Sequence, residues 1–103
     1  MKNLTFGQSP IITVIGKAYL RQRGIEPIRS RMDRRTTIKV GAPDFMFAFH
    51  GHPIAIEVKM PGEKLSPDQE RMKAVMTDPW NGWRWFTVFG IDDLRAILRS
   101  RGL

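Results

Sequence analysis

Gly41-Ala42-Pro43-Asp44-Phe45-Met46-Phe47-Ala48-Phe49-His50-Gly51-His52-Pro53-Ile54-Ala55-Ile56-Glu57-Val58-Lys59 is the stretch whose reading decides the fold. Residues 45–49 alternate at a period of two, and so do residues 54–59, which is the pattern of half-buried strands. His50-Gly51-His52-Pro53 lies between them and supplies a hairpin turn. In the second strand Ile54, Ile56 and Val58 share one face, while Glu57 and Lys59 share the other. In the first, Phe45, Phe47 and Phe49 oppose Asp44, Met46 and Ala48.

Whether Asp44 joins Glu57 and Lys59 depends on register. A two-residue loop at Gly51-His52 pairs Met46 with Glu57 and Asp44 with Lys59, which gathers all three on one face. A three-residue loop without a bulge instead sets Asp44 opposite Val58 and breaks the cluster. Gly51 suits the first position of a type II′ turn and favours the two-residue loop.

Working outward, Ser9-Pro10 reads as an N-cap and first helical residue, with Gly24 as the stop. Ile11, Ile12, Val14, Ile15, Ala18 and Tyr19 form an apolar stripe at helical spacing. Short strands are expected near Ile28 and over residues 37–40. A second helix should open at Ser66-Pro67 and turn Met72, Val75 and Met76 to the core. Residues 83–89 read as a further strand and residues 92–101 as a closing helix ended by Gly102. The expectation is one small α/β domain over residues 1–103, a mixed sheet flanked by helices.

Composition narrows the function classes. The 103 residues contain no cysteine, which excludes a disulfide framework, a zinc knuckle and a thiol nucleophile. No apolar run reaches the roughly 18 residues of a membrane span, and no secretory signal opens the chain. An intracellular protein with no membrane partner is expected. Lys and Arg number 17 against 10 Asp and Glu, a net charge of +7. Residues 1–42 hold nine bases and two acids, whereas residues 43–103 hold eight of each. That asymmetry points to a polyanion-binding face in the first 42 residues. Arg29, Arg31, Arg34, Arg35 and Lys39, just upstream of Asp44, are the candidates to track DNA phosphates.

Two carboxylates on one sheet face, Asp44 and Glu57, can turn inward onto an oxygen-loving divalent ion such as Mg²⁺. Lys59 beside them can orient a water or offset charge developing on a phosphate. Such a set suits phosphodiester hydrolysis; the alternative is a surface salt-bridge cluster with no function. Gln69 carries two readings. Ser66-Pro67-Asp68-Gln69 is a capping box, and Gln69 is equally placed to support the acidic site.

Gly41-Ala42-Pro43-Asp44, Ile56-Glu57-Val58-Lys59 and Leu65-Ser66-Pro67-Asp68-Gln69, in that order, resemble the PD-(D/E)xK nuclease superfamily. Within it the chain is most similar to the virus-type replication-repair nuclease (VRR-NUC) domain, over roughly residues 19–98. The resemblance implies a restriction-endonuclease-like fold and a Mg²⁺- or Mn²⁺-dependent deoxyribonuclease. It implies metal ligands at Asp44, Glu57 and the Val58 carbonyl, and catalytic roles for Asp44, Glu57, Lys59 and Gln69. Small stand-alone members, chiefly from phages and bacteria, resemble Holliday-junction resolvases and tend to be homodimers. Branched DNA and a second copy are therefore the implied partners, in a bacterial or phage-infected cytoplasm. The family's helix glutamate has no counterpart here; Gln8 is the nearest stand-in and brings no charge. A DNA-binding protein with a weak or inactive site on the same fold is the alternative, and a basic protein–protein adaptor a third.

His50 and His52 read as a solvent-exposed hairpin tip rather than a metal pair, because no third ligand accompanies them. Trp80, Trp83 and Trp85 read as core or dimer interface rather than a base-stacking platform, given the alternation of residues 83–89.

Overall fold

The computed structural model describes the backbone of residues 4–29 and 41–101, with side chains at 11–28 and 41–101. Seven elements follow in order: α1 (Leu4–Gln22), β1 (Ile28–Arg29), β2 (Phe45–Phe49), β3 (His52–Val58), α2 (Pro67–Met76), β4 (Arg84–Val88) and α3 (Ile91–Arg99). The strands form a mixed sheet in the order β1-β2-β3-β4. β1 and β3 run antiparallel to β2, while β4 runs parallel to β3. The chain is thus a small α/β domain with three helices. No helix among the described residues is long and apolar enough to cross a membrane.

β3 is the central strand, and Ile54, Ala55, Ile56, Glu57 and Val58 are all buried. The alternation expected in β2 is realised: Phe45, Phe47 and Phe49 are buried and enter one core with Ile54, Ile56, Val58 and Val88. α1 supplies Tyr19 and Leu20 to this core, and α3 supplies Leu94, Ile97 and Leu98. Both helices therefore cover the phenylalanine face of the sheet, and α2 lies by the other. α3 lacks a side-chain cap at Gly90, but Asp92 and Asp93 occupy its first turn, where the helix dipole favours acids. Asp93 Oδ2 also accepts the Phe89 amide at 2.8 Å.

Several expectations are corrected. α1 starts at Leu4, so Ser9-Pro10 lies inside the helix and does not open it; the stop at Gly24 (φ 77°) stands. Its buried face is Gly16, Tyr19 and Leu20, with Ile12 partly covered; Ile11, Val14, Ile15 and Ala18 are exposed. Gly16 lies on this face, where a Cβ would stand 3.3 Å from Phe45 Cζ and 3.5 Å from Leu94, a tight contact. This side of α1 packs on the sheet, and the β-branched stripe faces outward.

α2 begins at Ser66-Pro67 as its cap predicts, yet none of its residues is buried and Val75 is 59% exposed. β4 is two residues shorter than residues 83–89, with Trp85 and Val88 buried and Phe89 exposed. α3 ends at Arg99 with Ser100 as its C-cap, and Gly102 lies outside the described residues, as do residues 37–40.

The hairpin loop is His50-Gly51, not Gly51-His52, because Phe49 pairs with His52. Both loop residues have positive φ, 48° and 80°, which is a type I′ turn, not II′. The left-handed His50 is held by its ring stacking on Phe49 at 3.9 Å and by Nδ1 donating to the Arg101 carbonyl at 3.0 Å. The register moves by two residues from the expected one. A shift of two preserves the faces, so Asp44 and Glu57 still point to the same side.

Candidate active site

Pro43 and Asp44 build the site from the end of the β2–β3 ladder. Phe45 pairs with Ile56, so one further step sets Asp44 across from Glu57, and the next sets Pro43 across from Val58. Proline has no N–H to give the ladder. The pairing ends there, and the Asp44 side chain takes over as acceptor: its Oδ2 receives the Val58 amide at 2.7 Å. The N–H and C=O of one antiparallel strand residue leave on the same side. The Val58 carbonyl is thus directed towards Asp44, whereas Lys59 N turns the other way to Val88 O at 3.0 Å.

Glu57 is 4% exposed, the one buried charged residue among those described. Its Oε2 accepts from Gln69 Nε2 at 2.9 Å and lies 3.8 Å from Lys59 Nζ. Its Oε1 is buried with no hydrogen-bond partner among the described residues. Burial is the main cause that lifts its pKa from 4.5 to about 7, and the Asp44 charge adds to it; Lys59 and Gln69 pull the other way. Asp44 is also raised, again by burial, against the Val58 amide, Lys59 and Lys17. Two carboxyls this close titrate as a unit, and repulsion between them favours a shared proton or a bound cation.

Gln69 satisfies both of its readings at once. Its backbone N–H donates to Ser66 Oγ at 3.1 Å, and its Oε1 accepts the Ser66 amide at 2.8 Å, completing the capping box. The remaining Nε2 is what reaches Glu57. Gly41 positions this helix start. At φ 95°, it lies so close to α2 that a Cβ would meet Asp68 O at 2.4 Å and Gln69 N at 2.9 Å. The glycine of Gly41-Ala42-Pro43-Asp44 is therefore a packing requirement of the strand–helix junction.

The structure thus brings together Asp44, Glu57, Lys59 and Gln69, with the Val58 backbone beside them. Gln8 lies in α1, with its side chain outside the described ones. The same holds for Arg29 in β1, and Arg31, Arg34, Arg35 and Lys39 fall wholly outside the described residues. Of the two hairpin histidines, His52 Nδ1 accepts Arg84 Nε at 3.2 Å, and His50 Nδ1 donates to the Arg101 carbonyl at 3.0 Å. The expectation for the tryptophans divides. Trp85 is 8% exposed and belongs to the interior, but Trp80 is 95% exposed and is not core.

Two residues escaped the sequence reading. Lys17 on α1 acts electrostatically on Asp44. Thr87 pairs with Glu57 across the parallel β3–β4 register and shares its face. Lys17 carried no sequence signal of this role, because its approach to Asp44 depends on how α1 packs on the sheet. Nothing local marked Thr87, because its partner is set by a parallel crossover.

A buried carboxylate oxygen without a partner, a second carboxylate and a directed backbone carbonyl are hard oxygen donors, the kind that suit Mg²⁺ or Mn²⁺. Among the described residues no third acid or histidine joins them. Glu63, the nearest in sequence, accepts the Met60 amide at 2.6 Å. No protein-family model matches the chain, and no curated protein matches it.

Proposed function

We propose that this chain is a metal-dependent phosphodiesterase acting on DNA, a small nuclease of the PD-(D/E)xK kind on a restriction-endonuclease-like sheet. The observation that carries the reading is the meeting of Asp44 and Glu57 beside Lys59, with one buried Glu57 oxygen lacking a partner. Asp44, Glu57 and the Val58 carbonyl would hold a Mg²⁺ or Mn²⁺ ion. When bound, such an ion polarises a phosphoryl oxygen and acidifies its water.

The chain's own residues do the rest. Gln69 fixes the Glu57 carboxylate, and the Val58 amide fixes that of Asp44. The Lys59 ammonium offsets negative charge as an attacking water forms one P–O bond and the ester P–O bond breaks. Lys17 adds a second cation on the Asp44 side. The +7 net charge supports a polyanionic substrate, and the absence of a base-reading motif supports recognition by branched shape. The exposed Ile11, Val14, Ile15 and Ala18 on α1 support a homodimer, since none of the described residues covers this apolar face.

The test is cleavage of end-labelled four-way junction, flap and plain duplex in Mg²⁺, Mn²⁺ or EDTA, beside Lys59→Ala. Metal-dependent cuts lost in the variant establish the activity. A second reading, a DNA-binding protein with a weak or silent site, is favoured by there being only two carboxylates in the described cluster. Tight DNA binding with no cuts in either metal selects it.

A further inference from the structure

From the turn that follows α2, we infer that Trp80 is a stacking side chain for an unpaired nucleobase, separate from the acidic cluster. The inference rests on the proposed DNA substrate. Trp80 is 95% exposed, the most exposed large apolar side chain described. Leaving so large a surface in water is unfavourable, and the turn is built to hold it there. The Trp80 amide donates to Asp78 Oδ1 at 2.9 Å, and the Asn81 and Gly82 amides donate to the Asp78 carbonyl at 2.9 and 2.8 Å. Asn81 Nδ2 bonds the Val75 carbonyl at 2.7 Å, and Trp83 N closes the turn on Met76 O at 2.9 Å. Gly82, at φ 71°, allows the chain to reverse into β4.

The surroundings decide the kind of partner. Thr77, Asp78, Pro79, Asn81 and Gly82 are all exposed, and of the neighbouring large apolar residues only Val75 (59%) joins Trp80 at the surface. A stable protein interface needs about 800 Å² from each side, with an apolar centre. One tryptophan offers only about 250 Å². Stacking on a base needs a single aromatic plane, which a rigid turn presents without further ordering. The net charge of +7, carried by residues 1–42, supplies a long-range attraction for a nucleic acid but none specific to this turn.

Position sets this turn apart from the acidic site. Gln69 stands at the acidic site and Met76 at the other end of α2, about 10 Å away at 1.5 Å per residue. With the turn added, Trp80 stands beyond the far end of α2 from Gln69, outside the acidic cluster.

The test uses the full chain in EDTA, so that no hydrolysis intervenes. The probes are DNA hairpins with a single-stranded arm carrying one 2-aminopurine at successive positions, and a fully paired hairpin as control. Quenching should appear for 2-aminopurine in the single-stranded arm and be absent from the fully paired hairpin. It should disappear in Trp80→Ala and persist in Trp80→Phe, with unchanged melting temperatures. Affinity for the arm should fall about tenfold in Trp80→Ala, while affinity for the paired hairpin holds. Equal quenching and affinity in Trp80→Ala overturns the inference. So does a loss of dimer mass by light scattering with DNA affinity intact, which would assign the side chain to a protein contact. Cleavage by the wild type separates the two proposals. Trp80-dependent quenching without cleavage removes only the nuclease reading, and cleavage without a Trp80 effect on binding removes only the stacking.

Discussion

Gln69 donates its side-chain amide to Glu57 at 2.9 Å while the same side chain caps the helix that carries it. Helix start and acidic site are therefore one structure. Gln69→Glu separates the two roles, because a glutamate at this position can still complete the capping box but has no N–H for Glu57. The variant sets a carboxylate against Glu57 Oε2 where the amide donated. It should therefore melt below the wild type at neutral pH, recover as the pH falls and a proton is shared, and show altered metal-dependent cleavage. Gln69→Ala should lose both, with a stability cost of about 1 kcal/mol from the cap alone. Urea melts set beside cleavage rates check the split.

The Glu57 carboxyl binds its proton more tightly in the folded chain, with a pKa of about 7 against 4.5. Between those values the folded state holds more protons than the unfolded one, so stability falls as pH rises. Asp44, raised in the same direction, adds to the trend at lower pH. Glu57→Gln should remove the fall between pH 5 and 8 and leave the variant more stable at pH 8, by a few kcal/mol. Added Mg²⁺ or Mn²⁺ should stabilise the wild type more at pH 8 than at pH 5. Chemical denaturation across that range, with and without the ion, provides the measurement, and a parallel fall in both proteins would contradict the assignment.

Gly41 lies so close to the start of α2 that a Cβ built on it would collide with the Asp68 carbonyl. Gly41→Ala also places a Cβ at positive φ, so the expected loss is about 2 kcal/mol or more. Because α2 must move to relieve the clash, Gln69 should be drawn from Glu57 and cleavage should fall further than stability explains. A variant as stable and active as the wild type would refute the close approach.

Lys59 and Lys17 approach the acid pair from different elements, β3's end and α1. Lys59→Ala should lower kcat by about a hundredfold or more, as expected when transition-state charge loses its partner. Lys17→Met should act mainly on KM, consistent with a cation that holds the substrate phosphate on the Asp44 side. Steady-state kinetics on a junction substrate distinguish them, and equal effects on kcat would place Lys17 beside Lys59 in the chemistry.

Period-two alternation gave residues 45–49 as a strand and placed Glu57 and Lys59 on a common face, since side-chain direction in a strand follows from local geometry alone. The Ser66-Pro67 cap likewise fixed the start of α2, because capping is settled within four residues. The hairpin register was not local in this sense. Left-handed His50 is held by Phe49 and by the Arg101 carbonyl, 51 residues along the chain, and it moved the loop by one residue. Asp44 still met Glu57 because a two-residue shift conserves parity.

Burial was the harder matter. The inward side of α1 carries Gly16, Tyr19 and Leu20, and its packing on Phe45 and Leu94 is a contact between elements that no helical periodicity contains. The place of Thr87 beside Glu57 depended on a parallel crossover, and the exposure of Trp80 on what the turn after α2 packs against. The sequence by itself determined the elements and the residue types of the acidic cluster. Only tertiary packing decided which side chains water reaches, and so which carboxyl is buried enough to hold its proton near neutral pH.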